Sequence, residues 1–262
     1  MYFKAKSIAV VLLVALGALG AAGLSSATTI QEGNLRVTLR SQVVPYKLPR
    51  TGTAPIAVFV AGHIEAVDGG VPDQLERLAI EVNRRTRLLS SGLPVCRIPE
   101  VQPATTSRAH SACGPALVGS GQFWANIVLP EQGSYRTQGR LLVFNGREHG
   151  HPVLLAHIYS SHPFASSFVI DFRIRRIHDG YYGTRLSASL PQALGDWGYV
   201  DRIKLTLRRK YRRNGRQLSY FNAGCPALPG TGVAVFHLAH AVFSFAHTRL
   251  GVTVEKSCGV KE

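Results

Sequence analysis

The chain is short of acid, of redundant aromatics and of any long helical pattern. Only 15 of its 262 residues are Asp or Glu, and it has two tryptophans, Trp124 and Trp197. So few acids leave little material for a two-carboxylate hydrolase. The nearest pairs, Glu65 with Asp68 and Asp171 with Asp179, have no diagnostic spacing. No window of a dozen residues carries an apolar stripe of helical period. The serine-nucleophile pattern Gly-x-Ser-x-Gly is absent, because Gly119-Ser120-Gly121 lacks its frame. Glycine-rich segments precede strand patterns and not helices, so no phosphate-cradling loop is expected. The four cysteines contain no Cys-x-x-Cys pair, which removes the usual zinc spacings. No cofactor and no metal is expected.

What is present begins with the first 27 residues. Lys4 and Lys6 precede an uncharged run from Ile8 to Leu24, and Ser25-Ser26-Ala27 follows with small residues. That order is the pattern of a cleavable secretory signal ending near Ala27. The run is at the low edge of membrane-spanning length, and Gly17, Gly20 and Gly23 weaken it as a helix. Residues 28–33 are polar and predicted to be a flexible segment. Residues 34–262 are predicted to form one domain, secreted or held at the cell envelope, with no transmembrane span in the mature chain. A domain of this length buries about 70% of the surface its unfolded chain exposes, enough for a sizeable core.

Period-2 alternation dominates that domain. Leu35, Val37 and Leu39 alternate with Arg36, Thr38 and Arg40, and Ile170, Phe172 and Ile174 with Asp171, Arg173 and Arg175. Half-buried strands alternate in this way. Val233 to Ala246 is apolar at both parities and rich in β-branched and aromatic residues, which predicts a central strand. Asn145-Gly146 and Asn214-Gly215 predict hairpin turns, since both residue types tolerate positive φ. Eleven to thirteen strands result. The expected fold is all-β, an antiparallel two-layer β-sandwich of the general jelly-roll kind. Ser90 to Pro115 stands apart as a long irregular excursion rich in proline.

In an exported chain an even number of cysteines favours disulfides. Cys96, Cys113, Cys225 and Cys258 allow three pairings. The pairs nearest in sequence, Cys96–Cys113 and Cys225–Cys258, are favoured.

Lys and Arg number 30, and 23 of these are Arg. Without Lys4 and Lys6, 28 basic side chains face 15 acidic ones, a net charge of +13. A polyanionic partner is expected, either an anionic envelope polymer or a lipid surface, with no specific nucleic acid. The densest cluster runs through Arg202, Lys204, Arg208, Lys210, Arg212, Arg213 and Arg216, and Arg173 and Arg175 would add a second row if their strand lay nearby. Guanidinium forks match phosphate and carboxylate oxygens. The competing explanation is a solvated face that keeps strand edges from pairing.

Two catalytic alternatives have some basis in the residues. His149, His151, His157 and His162 fall within 14 residues, and with Glu148 they make an envelope enzyme or a metal-binding protein the second expectation. Ala223-Gly224-Cys225-Pro226, with His149-Gly150 upstream, has a faint likeness to cysteine transpeptidases of bacterial cell walls. The usual Ser-x-Gly-Cys is missing, and Cys225 has a disulfide partner available. A third expectation is a structural or interaction module without a small ligand. Trp124, Trp197 and Tyr181-Tyr182 are candidates for a sugar platform or for core.

The phrases Leu48-Pro49-Arg50, Asp68-Gly69-Gly70-Val71-Pro72, Gly92-Leu93-Pro94-Val95-Cys96, Leu117-Val118-Gly119-Ser120-Gly121, Phe144-Asn145-Gly146 and Ser219-Tyr220-Phe221-Asn222-Ala223-Gly224-Cys225-Pro226 span nearly the whole mature chain. In them the chain resembles a group of exported bacterial proteins with two cysteine pairs and no assigned activity. The resemblance implies export and a shared fold, and it transfers no catalytic residue.

Overall fold

A computed structural model of the chain describes residues 26–128, 133–162, 164–190 and 198–261. The predicted signal lies almost wholly outside the described residues. The first strands are β1 (Ser26–Glu32), β2 (Leu35–Val44), β3 (Lys47–Pro49), β4 (Ala54–Pro55), β5 (Ala57–Ala66), β6 (Leu75–Asn83) and β7 (Thr86–Leu88). Helices α1 (Ile98–Val101) and α2 (Thr106–Cys113) follow, with a 3-10 turn at Gly114–Ala116. Next come β8 (Leu117–Val128), β9 (Ser134–Glu148), β10 (His151–Ser160), β11 (Ser166–Asp179), β12 (Tyr182–Ser189) and β13 (Gly198–Leu207). The last are β14 (Lys210–Arg213), β15 (Arg216–Ser219), β16 (Phe221–Ala223), β17 (Val233–Phe245) and β18 (Arg249–Lys261).

The all-β antiparallel expectation holds. One sheet runs in the order β1-β2-β5-β13-β8-β9-β10-β11-β12-β6-β17-β18-β3. Its neighbours are antiparallel throughout, except that β3 adds in parallel to β18. The sheet curls until β1 lies against β18. Lys256 on β18 then reaches across to donate to the Ser41 carbonyl on β2. The two layers are therefore opposite walls of a single curled sheet. Inward positions are apolar, as with Val37, Phe123, Leu141, Ile170, Phe243 and Val252.

Tight curling needs backbones without side chains in the way. A Cβ on Gly121 would stand 1.9 Å from the Lys204 carbonyl oxygen of the neighbouring β13. A Cβ on Gly139 would stand 2.2 Å from the Tyr159 oxygen. Glycine inside a strand marks such close approach.

Several expectations are corrected. Of residues 28–33, expected to be flexible, 28–32 belong to β1, which pairs with β2 along its whole length. The hairpin expected across Asn145 to His151 forms as β9–β10, but its positive-φ residues are not Asn145-Gly146. They are His149 (φ 47) and Gly150 (φ 81), because Leu142 to Asn145 are buried and remain in the ladder. Asn145 instead donates from Nδ2 to the Pro94 carbonyl. Asn214 and Gly215 do turn a hairpin, with φ 49 and 73. That hairpin is β14–β15 alone, a separate two-stranded sheet, because the strand from 198 breaks after Leu207. The excursion at 90–115 is largely helical. Thr105 caps α2 by accepting the Arg108 N–H. Both favoured cysteine pairings are present, Cys96–Cys113 and Cys225–Cys258, and no cysteine is free.

The two ends of the curled sheet differ. The small sheet β4-β16-β7 closes one end with Tyr220, Phe221, Ala223 and the Cys225–Cys258 bridge. At the other end the interior is hollow.

Candidate anion-binding face

The register of five adjacent strands aligns cations that are far apart in sequence. Arg40 on β2 faces Ala61 on β5, Ala61 faces Lys204 on β13, Lys204 faces Gln122 on β8, and Gln122 faces Arg140 on β9. The next row reads Thr38, His63, Arg202, Trp124 and Gln138. Both rows point outward, because the alternate residues on these strands, such as Leu39, Ile203 and Phe123, point in. Arg40, Lys204 and Arg140 are exposed, and none has an ion-pair partner among the described residues. Two strand spacings separate each from the next, roughly 10 Å. Ala61 and Gln122 lie between them and add no charge, so the row is a line of cations above a smooth surface.

Trp124 is half-buried in this face. The Lys204 ammonium lies 5.6 Å from its ring centroid and the Arg202 guanidinium carbon 6.0 Å. These contacts hold both cations up against the indole. A shallow depression beside it is lined by Trp124, Arg136, Gln138, Asp201 and Arg202. Asp201 is buried there, 3.3 Å from the Asn126 amide that donates to it and 4.0 Å from Arg136 Nη2. At the margin Arg36 pairs with Glu65 at 3.2 Å. Two acids therefore sit at the rim of the face, and its centre is purely cationic.

The residues predicted for binding do not form one site. Arg202 and Lys204 lie in the face just described. Arg208 falls in the break after β13. Lys210, Arg212 and Arg213 project from the hairpin, which is seated by Tyr211 donating to the carbonyls of Leu89 and Ser91. Arg216 belongs to β15, and its side chain lies outside the described residues. Arg173 and Arg175 do not adjoin β13, since β8, β9 and β10 separate their strand from it. Arg173 lies near Asp171 at 3.8 Å. The cations that share a row with Lys204 are instead Arg40 and Arg140, with Arg202 in the row beside it. Sequence proximity could not find these two, because they lie on β2 and β9, far along the chain from the cation run at 202–216.

The histidines are dispersed. His149 and His151 are exposed in the β9–β10 turn. His157 is wholly buried beneath the helices, where Nε2 donates to the Ala104 carbonyl at 2.9 Å. Burial holds its pKa below the usual imidazole value, and the Ala104 bond opposes that shift in part. His162 meets Ser161 Oγ at 3.0 Å. The one clustered group of potential metal ligands among the described residues is Cys96, Glu100 and Cys113, and its two sulfurs are consumed in a disulfide. Cys225 is likewise bonded to Cys258, so it is no nucleophile. Glu65 is engaged by Arg36, and Asp68 accepts the Gly70 N–H at 2.8 Å, which lowers its pKa. Tyr181 stacks edge-on against His237 and Tyr182 lies near His240, well along the sheet from Trp124. Trp197 is outside the described residues.

No protein-family model matches the chain, and no curated protein or solved structure matches it significantly. Among the described residues no helix is long and apolar enough to cross a membrane.

Proposed function

We propose that this is an exported, non-catalytic protein that binds an anionic polymer of the cell envelope through the outer face of β2-β5-β13-β8-β9. The observation that carries the reading is the transverse row Arg40, Lys204, Arg140, set beside Arg202 and Trp124. Three exposed cations at regular spacing suit a chain with repeated negative charge better than a single small anion. Trp124 adds an apolar surface on which a sugar ring can lie. Two disulfides suit an oxidising compartment, and the amino-terminal 27 residues supply the route there. The net charge of +13 left without Lys4 and Lys6 draws any polyanion toward the surface, and the row gives that attraction a place to act.

The test is retention on a dextran-sulfate column against a salt gradient. The triple variant R40S/K204S/R140S is expected to elute at clearly lower salt than wild type. The hairpin variant K210S/R212S/R213S removes the same charge and is expected to elute close to wild type. Equal shifts in the two would reduce the effect to net charge and overturn the reading. Stronger retention by phosphatidylglycerol vesicles than by dextran sulfate would replace the polymer with a lipid surface.

A further inference from the structure

The hollow end of the sheet is a second site, on the inner face and independent of the binding reading above. There the inner faces of eight strands enclose a cavity of about 130 Å³. Its wall is apolar, built by Phe123, Ile127, Ile158, Phe168, Ile170 and Phe245. Asp73, Gln74 and Gly198 also line it. An apolar cavity of roughly 150 Å³ stays dry and takes up small apolar molecules such as benzene. This one is of that order, so it suits about six or seven non-hydrogen atoms.

Two hydroxyls in the wall decide what the ligand carries. Thr137 and Ser160 line the cavity, are buried, and hydrogen-bond to each other. Ser160 donates its single proton to the His162 carbonyl at 2.8 Å. Its oxygen must then accept in the bond with Thr137, so the Thr137 proton is committed to Ser160. A hydroxyl has one proton and two lone pairs. Thr137 Oγ1 therefore has only lone pairs left to offer, and the Asp73 carboxylate in the lining is also an acceptor. Ser160 is saturated, because the His162 N–H donates to it as well, at 3.3 Å. At the Thr137–Ser160 pair the wall therefore offers an acceptor and no spare proton; of the other hydroxyls in the lining, Ser166 donates to the Phe164 carbonyl at 3.5 Å and Tyr199 belongs to β13. That pair complements a hydrogen-bond donor, and the Asp73 charge in the lining disfavours a carboxylate.

We infer that this cavity binds a short unbranched aliphatic molecule whose polar end donates a hydrogen bond, an aliphatic alcohol, with the chain among the isoleucines and phenylalanines and the hydroxyl toward Thr137. The probe is 1-hexanol, followed by methyl NMR of isoleucine-labelled full-length mature protein. Saturable shifts are expected at Ile127, Ile158 and Ile170. Hexanoate is expected to bind at least tenfold more weakly. Ala125 also lines the cavity, and Ala125→Phe is expected to abolish the shifts by filling it. Should that variant fail to fold, Ser166→Trp obstructs the site from the start of β11 with the same expected loss. Absence of saturable shifts with 1-hexanol, shifts that survive both variants, or equal binding of hexanoate would each overturn the inference.

Discussion

The outer face of β9 is two surfaces on one strand. From Ser134 onward its outward positions are Arg136, Gln138 and Arg140, exposed and polar. The next outward positions are Leu142 and Phe144, which are 2% and 0% exposed. On β10 the same boundary separates Tyr159 from buried His157, Leu155 and Val153. The cause is the helical excursion. α1 and α2, clipped by Cys96–Cys113, lay Val101, Ala109 and Cys113 over the apolar half. Among the described residues the other half has no cover, and it carries the cation row. The sheet is thus roofed where its outer face is greasy and bare where it is charged. A bare face of matched strands is the one that remains available to a partner.

That contrast can be broken first from the roofed side. Phe144→Ala empties the covered core and is expected to cost roughly 3–5 kcal/mol in chemical denaturation. Removing the disulfides comes next. Replacing both cysteines of a pair with Ser is expected to cost roughly 4 kcal/mol for Cys225–Cys258 and roughly 3 kcal/mol for Cys96–Cys113, because the loops span 33 and 17 residues. Loss of Cys96–Cys113 should also raise hydrogen exchange in β9 and β10 under the helices, with little change in β2 and β5. Uniform change across the sheet would mean that the roof is no separate unit.

Smaller effects sharpen the picture. Gly121→Ala forces β8 away from β13 and is expected to cost about 1–3 kcal/mol by overpacking. It should weaken dextran-sulfate retention too, since it disturbs the register that aligns Gln122 with Lys204 and Arg140. His157 makes the roof pH-sensitive. Its folded pKa is depressed by burial, so the unfolded chain binds the proton more readily. Stability is therefore full above the ordinary value of 6.5 and falls as pH drops through it toward the folded pKa. His157→Gln should flatten that part of the stability profile. Smallest of all, R40S/K204S/R140S should alter stability by no more than about 0.5 kcal/mol per substitution, because these are exposed side chains. A large loss there would mean the row is structural.

Much of the fold was legible because alternation in single strands is a local property. Ile170, Phe172 and Ile174 face inward with Arg173 and Arg175 outward, as their spacing implies. The central strand at 233–245 and both disulfides follow from the same kind of local evidence. The site was not legible, because it is made by pairing. Arg40, Lys204 and Arg140 are 100 residues and more apart in sequence except for the last two, and only the order β2-β5-β13-β8-β9 unites them. The run of cations at 202–216 was conspicuous but splits at Arg208, with two of its members on the face. Asn145-Gly146 misled for a related reason. A turn signal loses to a buried ladder when the flanking residues gain more from staying inside.

The central claim is that an anionic polymer lies on the row beside Trp124. The chain has only one other tryptophan, so Trp197→Phe leaves Trp124 as sole reporter. Titrating that protein with dextran sulfate in low salt should change Trp124 emission saturably, and added salt should reverse the change as it screens the row. Binding of the polymer with no change in Trp124 emission would contradict the account, because the polymer would then be held elsewhere on the molecule.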